Sequence, residues 1–226
     1  MTHGDGEGRP STDRESPVGE PVIRGDPAVL GDRAREAVEF DPDDPASLEL
    51  AAETVGAFAD NTAGGEDNVF MLRGAAACAA LVRGEGSYKA AAARAGEHVT
   101  VSFIRKWSRV HDLPRSIRRH VATGEIAPTA AKHVARVAGE ARLHLAWSIL
   151  DHGMTVRQVR SVASAVNDGE DVESALARQG ITLGEIELRL PPDSYCELRQ
   201  RASLHGDSPG ALVADALETA FEGDRP

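Results

Sequence analysis

The sequence predicts a mainly α-helical protein with one short strand near the C-terminus. After residue 44, apolar residues recur at intervals of three and four positions, the spacing of an amphipathic helix. Glycine or proline interrupts these segments often, which favours short helices over long ones. Only residues 185–190 alternate polar and apolar side chains, the period of a half-buried strand.

The first 44 residues predict an acidic, disordered tail. They are rich in Gly, Pro, Asp and Glu and contain few large apolar side chains to bury. Asp44 and Pro45 then suit an N-cap followed by the first helical position. Helices are expected at residues 45–59 and 67–83, and they form an N-terminal helical pair over residues 45–84. Cys78 lies in the apolar part of the second helix and is expected to be buried.

Residues 85–168 predict a second, multi-helical domain. Its first two helices are separated only by a short turn at Gly96. Leu113-Pro114 ends the second helix, since the residue before a proline is pushed out of the helical region. The expected helices cover residues 87–95, 100–111, 114–123, 128–138, 140–152 and 155–166.

The charge of the chain is distributed very unevenly. The net charge is -11, yet residues 88–166 hold 13 Lys and Arg against 5 Asp and Glu. Residues 1–87 hold 7 Lys and Arg against 18 Asp and Glu, and residues 167–226 hold 5 Lys and Arg against 13 Asp and Glu. All three lysines (Lys89, Lys106 and Lys132) lie in the basic middle third. This asymmetry predicts a polyanionic partner for that region.

A series of motifs runs through the basic region in a fixed order. They are Ala90–Gly96, Ser102–Trp107, Leu113-Pro114, Val121–Ile126, the helix Pro128–Val137 and Gly153–Val159. In this order they resemble the DNA-binding helical domain of the ParB partition-protein family, over about 80 residues. The resemblance implies a helix-turn-helix in which residues 100–111 are the recognition helix and residues 87–95 support it.

The resemblance also implies a set of DNA contacts. The expected contacts are Thr100, Ser102, Arg105, Lys106 and Arg109 on the recognition helix, followed by Arg115, Arg118, Arg119 and Lys132. Residues 97–101 make the turn longer than is usual in the family. No counterpart of the family's nucleotide-binding domain precedes residue 87. The resemblance therefore implies binding at DNA sites and not CTP-dependent clamping.

The C-terminal segment predicts a separate module. After a linker at residues 169–182, residues 183–226 place the strand before helices at 194–205 and 209–222. This order resembles the ribbon-helix-helix (CopG/Arc-like) fold, which implies a dimer with paired strands. A lone strand without a partner in its own chain also predicts dimerisation. The shared core would contain Ile186, Leu188, Leu190, Leu212 and Leu217.

The strand's other face predicts a role in dimerisation more than in DNA contact. It carries Glu185, Glu187 and Arg189, and carboxylates are repelled by phosphates. The sequence thus predicts a homodimeric, sequence-specific double-stranded DNA-binding protein, partition-like or regulatory, in the cytoplasm and at the nucleoid. Two alternatives stay open. One is an adaptor for an acidic protein; the other is an antitoxin-type autoregulator that reads DNA through the C-terminal strand.

The sequence lacks the residue patterns that other classes of function need. The eight histidines include no pair at i and i+4, and the two cysteines are far apart, so neither a metal site nor a cofactor is expected. No catalytic motif stands out, and an enzyme is not expected. The longest apolar run is too short to cross a bilayer. An acidic, lysine-poor chain is typical of a halophilic archaeon, with a GC-rich genome as the alternative.

Overall fold

The structure is a computed structural model, and it describes residues 40–61 and 68–223. In that part of the chain all regular structure is helical, which confirms the prediction of a mainly α-helical protein. Residues 1–39 of the disordered tail predicted for residues 1–44 lie outside the described residues. The helices are α1 (Pro45–Asn61), α2 (Asn68–Gly84), α3 (Tyr88–Ala95), α4 (Val101–His111), α5 (Arg115–Ala122), α6 (Pro128–Val134), α7 (Gly139–His152), α8 (Val156–Asn167), α9 (Val172–Ala177), α10 (Pro192–His205) and α11 (Pro209–Gly223).

The described chain divides into two compact units, residues 40–185 and residues 186–223. The first unit contains α1 to α9 around one hydrophobic core. The second contains α10 and α11, which pack against each other. The boundary falls close to residue 183, where the sequence predicts the start of the C-terminal module.

The start of α1 follows from local chemistry. The carboxylate of Asp44 accepts hydrogen bonds from the backbone N–H groups of Ala46 and Ser47, at 3.3 and 3.1 Å, as expected of an N-cap. Phe40, five residues before the helix, is buried in the core. The last residues of the predicted acidic tail are therefore held in place by packing.

Several helix boundaries differ from the prediction, and two of them have a clear local cause. α6 ends at Val134 and not at residue 138, because the N–H groups of Arg136 and Val137 bond to carbonyls three residues back. These tighter turns bring Val137 into the core. α10 begins at Pro192, two residues early, since a proline at the first helical position needs no N–H partner.

The segment predicted as a linker, residues 169–182, is instead part of the first unit. It contains α9, which packs against α7 and α8. Val172, Ala175 and Leu176 are buried on one face of this short helix, and Ile181 is buried after it. Apolar residues at helical spacing explain the packing, because they give even a short acidic segment a face to bury.

The packing of α4 fixes which of its residues face outward. α4 packs mainly against α2, and five residues (96–100) separate it from α3. Phe58 of α1 makes edge contacts with Phe103 and Trp107 of α4, with ring centres 5.3 and 4.7 Å apart. These contacts hold the apolar side of α4 inward and leave its polar side on the surface.

Candidate nucleic-acid interface

The outer face of α4 is polar and cationic. Ile104, Trp107 and Val110 are buried, whereas Ser102, Arg105, Lys106 and Arg109 are exposed. The exposed residues stand at i, i+3, i+4 and i+7, so they share one side of the helix. All four residues were predicted from the sequence as contacts, and the structure brings them together on one surface.

Thr100 caps the N-terminal end of α4. Its hydroxyl oxygen accepts a hydrogen bond from the backbone N–H of Phe103 at 3.1 Å, which makes Thr100 the N-cap. Its side chain is exposed at the end of the face formed by Ser102 and Arg105. The predicted contact residue therefore also sets where the helix begins.

Arg105 connects α4 to α3. The guanidinium carbon of Arg105 lies 5.4 Å from the centre of the Tyr88 ring, a cation–π contact between α4 and α3. The contact leaves the guanidinium N–H groups at the surface, because Arg105 is exposed. Arg105 is thus oriented by an aromatic ring and not by a carboxylate.

Lys132 of α6 lies beside the same helix. Its Nζ atom is 4.8 Å from the centre of the Trp107 ring, and the residue is partly buried. Burial lowers the pKa of Lys132, and the nearby charge of Lys106 lowers it further. The packing of α6 against α4 therefore places two predicted contact residues next to each other.

Further cations join this surface from α6 and α8. Burial lowers the pKa of His133, and the charges of Arg136, Lys132, Arg160 and Lys106 add to that effect in this order. These five residues, which we call the basic cluster, come from α4, α6, the turns that follow α6, and α8. His133 and Arg160 were not predicted from the sequence as site residues; the only signal for Arg160 was a second arginine three positions after Arg157.

Three arginines outside this surface are paired with carboxylates. Arg94 contacts Glu85 and Glu49, Arg178 contacts Glu170, and Arg201 contacts Glu197. In the described residues no such pair is formed by the cations of the α4 face or of the basic cluster. These are Arg105, Lys106, Arg109, Lys132, Arg136 and Arg160.

The three arginines of α5 are not equivalent. Arg118 is partly buried, and its Nη1 atom donates a hydrogen bond to the carbonyl oxygen of His111 at 2.9 Å. Arg115 and Arg119 are exposed. Hydrogen bonds from Thr123 and His120 lower the pKa of Glu125, and the charge of Arg119 adds a smaller effect. Arg118 therefore satisfies the C-terminal end of α4, and the sequence pattern gave no sign of this.

A polar cavity of about 190 Å³ lies at the C-terminal end of α4. Arg109, Asp112, Ala135, Arg136 and Arg142 line it. Arg142 is buried, and its Nε atom donates a hydrogen bond to the carbonyl oxygen of Val137 at 2.7 Å. Arg109 and Arg136 are exposed at this cavity, so it continues the cationic surface of α4.

The predicted dimerisation residues are mostly exposed in the single chain. The exposed fractions of Ile186, Leu188, Leu190 and Leu217 are 53%, 58%, 42% and 47%, and Leu212 is partly buried. No residue of α11 is buried. Residues 185–191 form no strand here. A strand requires a neighbouring strand to bond with, and the described chain offers none.

The described residues lack the features of two other kinds of site. Among them, no three His, Cys, Asp or Glu side chains are grouped so that they could hold a metal ion. None of the helices there combines the length and the apolar character needed to cross a membrane.

Comparison with known proteins places the chain in a family. No curated protein and no solved structure gives a significant match to it. A family model does match, over residues 41–181, which takes in α1 to α9 and therefore both the α4 face and the basic cluster. The chain belongs to the family of unknown function DUF7119.

Proposed function

We propose that this protein binds specific sites on double-stranded DNA as a homodimer, with α4 as the helix that reads the DNA. The observation that carries the proposal is the outer face of α4. It presents Ser102, Arg105, Lys106 and Arg109 together, and none of the three cations is paired with a carboxylate in the described residues. In a chain of net charge -11, unpaired cations on one face call for an external anion.

The chemistry of this face suits duplex DNA. An α-helix fits the major groove, where arginine and lysine bind guanine acceptors and small hydroxyl groups reach bases or phosphates. Lys132 and Arg136 lie to one side, where they can contact the phosphate backbone. The sequence motifs of the basic region resemble those of the ParB DNA-binding domain, and this resemblance supports the same assignment for α3 and α4.

The proposed dimer forms through the C-terminal unit. A second copy would supply the strand that residues 185–190 lack and would cover the exposed side chains of Ile186, Leu188 and Leu190. Such a dimer presents two α4 helices related by two-fold symmetry. We therefore expect the DNA site to be palindromic or repeated.

Selection from genomic DNA tests the proposal. Purified protein is mixed with sheared genomic DNA in about 1 M potassium chloride, where phosphate attraction is strongly screened, and the recovered DNA is sequenced. We expect a short symmetric motif. The double variant Arg105→Ala/Lys106→Ala should lose it, because it removes the central cations of the α4 face.

The control variant is Arg83→Ala/Arg199→Ala, which also removes two exposed cations but lies outside the α4 face. It should recover the same motif as the wild-type protein. Recovery of no motif at any salt concentration would rule out site-specific DNA binding and favour the adaptor. A motif that is lost on changing Arg189 but kept in the α4 variant would favour the antitoxin-type regulator.

A further inference from the structure

The basic cluster is a crowded set of like charges. Lys106 comes from α4, Lys132 and His133 from α6, Arg136 from the turns that follow α6, and Arg160 from α8. Every charge that shifts the pKa of His133 is positive. The carboxylate of Asp112 lies at the cavity that Arg136 also lines, but it does not contribute to that shift. Repulsion of this kind costs free energy in the unbound protein. A bound anion would remove that cost.

His133 is placed to respond to such an anion. Its side chain is partly buried, and its Nδ1 atom is shielded from solvent without a hydrogen-bond partner in the described residues. A buried donor or acceptor without a partner is unusual in a folded protein. The burial and the four surrounding cations all favour the neutral imidazole.

We propose that the basic cluster is a phosphate-binding site that takes up one proton on His133 when a DNA phosphodiester occupies it. The inference rests on the proposed function and extends it, because it adds α6 and α8 to the surface that holds the DNA. The occupant is the DNA backbone, since cations contributed by three helices suit a row of phosphates better than a single small anion.

In this proposal, DNA binding is coupled to the uptake of one proton by His133. In the free protein the imidazole is neutral at neutral pH, and in the complex it takes a proton from solvent to become a cation. Two phosphate charges near Lys106 and Arg160 would offset the repulsion that now opposes this protonation. Because the complex holds one more proton than the free protein, DNA affinity must rise as pH falls.

Fluorescence anisotropy with a labelled duplex carrying the selected motif tests this linkage between pH 5.5 and 8. The full-length wild-type protein should bind with a Kd that is at least about threefold lower at pH 5.5 than at pH 8, and at most about tenfold lower for each pH unit. His133→Gln keeps a polar side chain that does not titrate. It should bind with a Kd that changes much less over the same range.

Arg160→Gln tests the geometry independently of His133. The loss of one phosphate contact should lower the slope of log affinity against log salt by about 0.9. Arg83→Gln removes an equal charge outside the cluster and should leave the slope unchanged. Circular dichroism confirms that each variant is folded before its binding is compared.

A second readout uses the wild-type protein alone. The titration of the His133 ring protons, followed by NMR, should move to higher pH when the duplex is added. An unchanged titration, or identical pH profiles for wild type and His133→Gln, would overturn the proton-linked site while leaving DNA binding intact. If the wild-type protein binds no duplex at any pH, the proposed function itself fails.

Discussion

Arginine side chains have different structural roles at different positions of this chain. Arg105 faces outward over the Tyr88 ring, whereas Arg94 is paired with Glu85 and Glu49. Arg118 bonds to the main chain at the end of α4. Residue type alone cannot separate these roles, because each depends on which group lies within reach of the guanidinium.

The main effect of Arg118→Ala should be a lower stability of the protein and not the loss of a DNA contact. It leaves the carbonyl oxygen of His111 without the Arg118 donor, and we expect the free energy of unfolding to fall by about 1–3 kcal/mol. Urea denaturation followed by circular dichroism measures this. Arg119→Ala is the matched control, since that side chain is exposed and should change stability by less than about 0.5 kcal/mol.

Gly74 permits the close packing of α2 against the aromatic cluster. A Cβ atom at this position would lie 2.2 Å from a ring carbon of Phe58, so the ring would have to move. Gly74→Ala should destabilise the protein by about 1–3 kcal/mol through overpacking. Gly210→Ala, at a helical glycine with ordinary spacing around it, should be neutral or stabilising. Equal thermal midpoints for both variants would contradict this account.

At the scale of helices, the ends are set by short-range chemistry. The hydroxyl of Thr155 accepts from the N–H of Gln158, whose side chain accepts in turn from the N–H of Thr155. α7 ends at Gly153 with a left-handed backbone (φ 61°), a conformation that costs glycine little. Such signals lie within one turn of the helix end, so the sequence alone reveals them.

Thr100 allows capping and DNA contact to be tested separately. Thr100→Ala removes the cap of α4 and should cost about 1 kcal/mol of stability, whereas Thr100→Ser retains a hydroxyl acceptor and should cost little. Thermal unfolding measures both. Ser102 is exposed and caps no helix. Ser102→Ala should therefore lower DNA affinity while leaving the thermal midpoint unchanged. A Thr100→Ala variant as stable as wild type would show that the cap is unimportant.

At the scale of the whole molecule, the two units differ sharply in what they bury. The first unit has a continuous core from Phe40 to Ile181. In the second, Ala202 is the one buried residue of α10, and α11 has none. So many apolar side chains at the surface indicate that this unit forms an interface with another chain. The proposed homodimer supplies that interface.

Leu188→Glu should therefore prevent dimerisation. A charge placed among apolar side chains would have to be buried unpaired at the proposed interface. Sedimentation equilibrium should give twice the chain mass for the wild-type protein and the single chain mass for the variant. Leu204→Glu is the control, because Leu204 is 84% exposed and lies outside the predicted interface. A variant that remains dimeric would place the interface elsewhere.

The sequence was sufficient for features that depend on near neighbours. It predicted the helical class, most helix boundaries, the burial of Cys78, and the face shared by Ser102, Arg105, Lys106 and Arg109. Periodicity, caps and glycine turns act within a few residues, and a helix aligns residues at fixed spacing without help from the rest of the fold.

Only the tertiary structure decided which distant side chains meet. It drew residues 172–181 into the core, turned Arg118 toward the end of α4, and gathered Lys106, His133 and Arg160 from three helices. Those neighbours result from how the apolar faces of separate helices pack, and packing contacts between residues far apart in the chain leave no local pattern. The sequence thus determined the helices and their polar faces, and their packing determined the basic cluster.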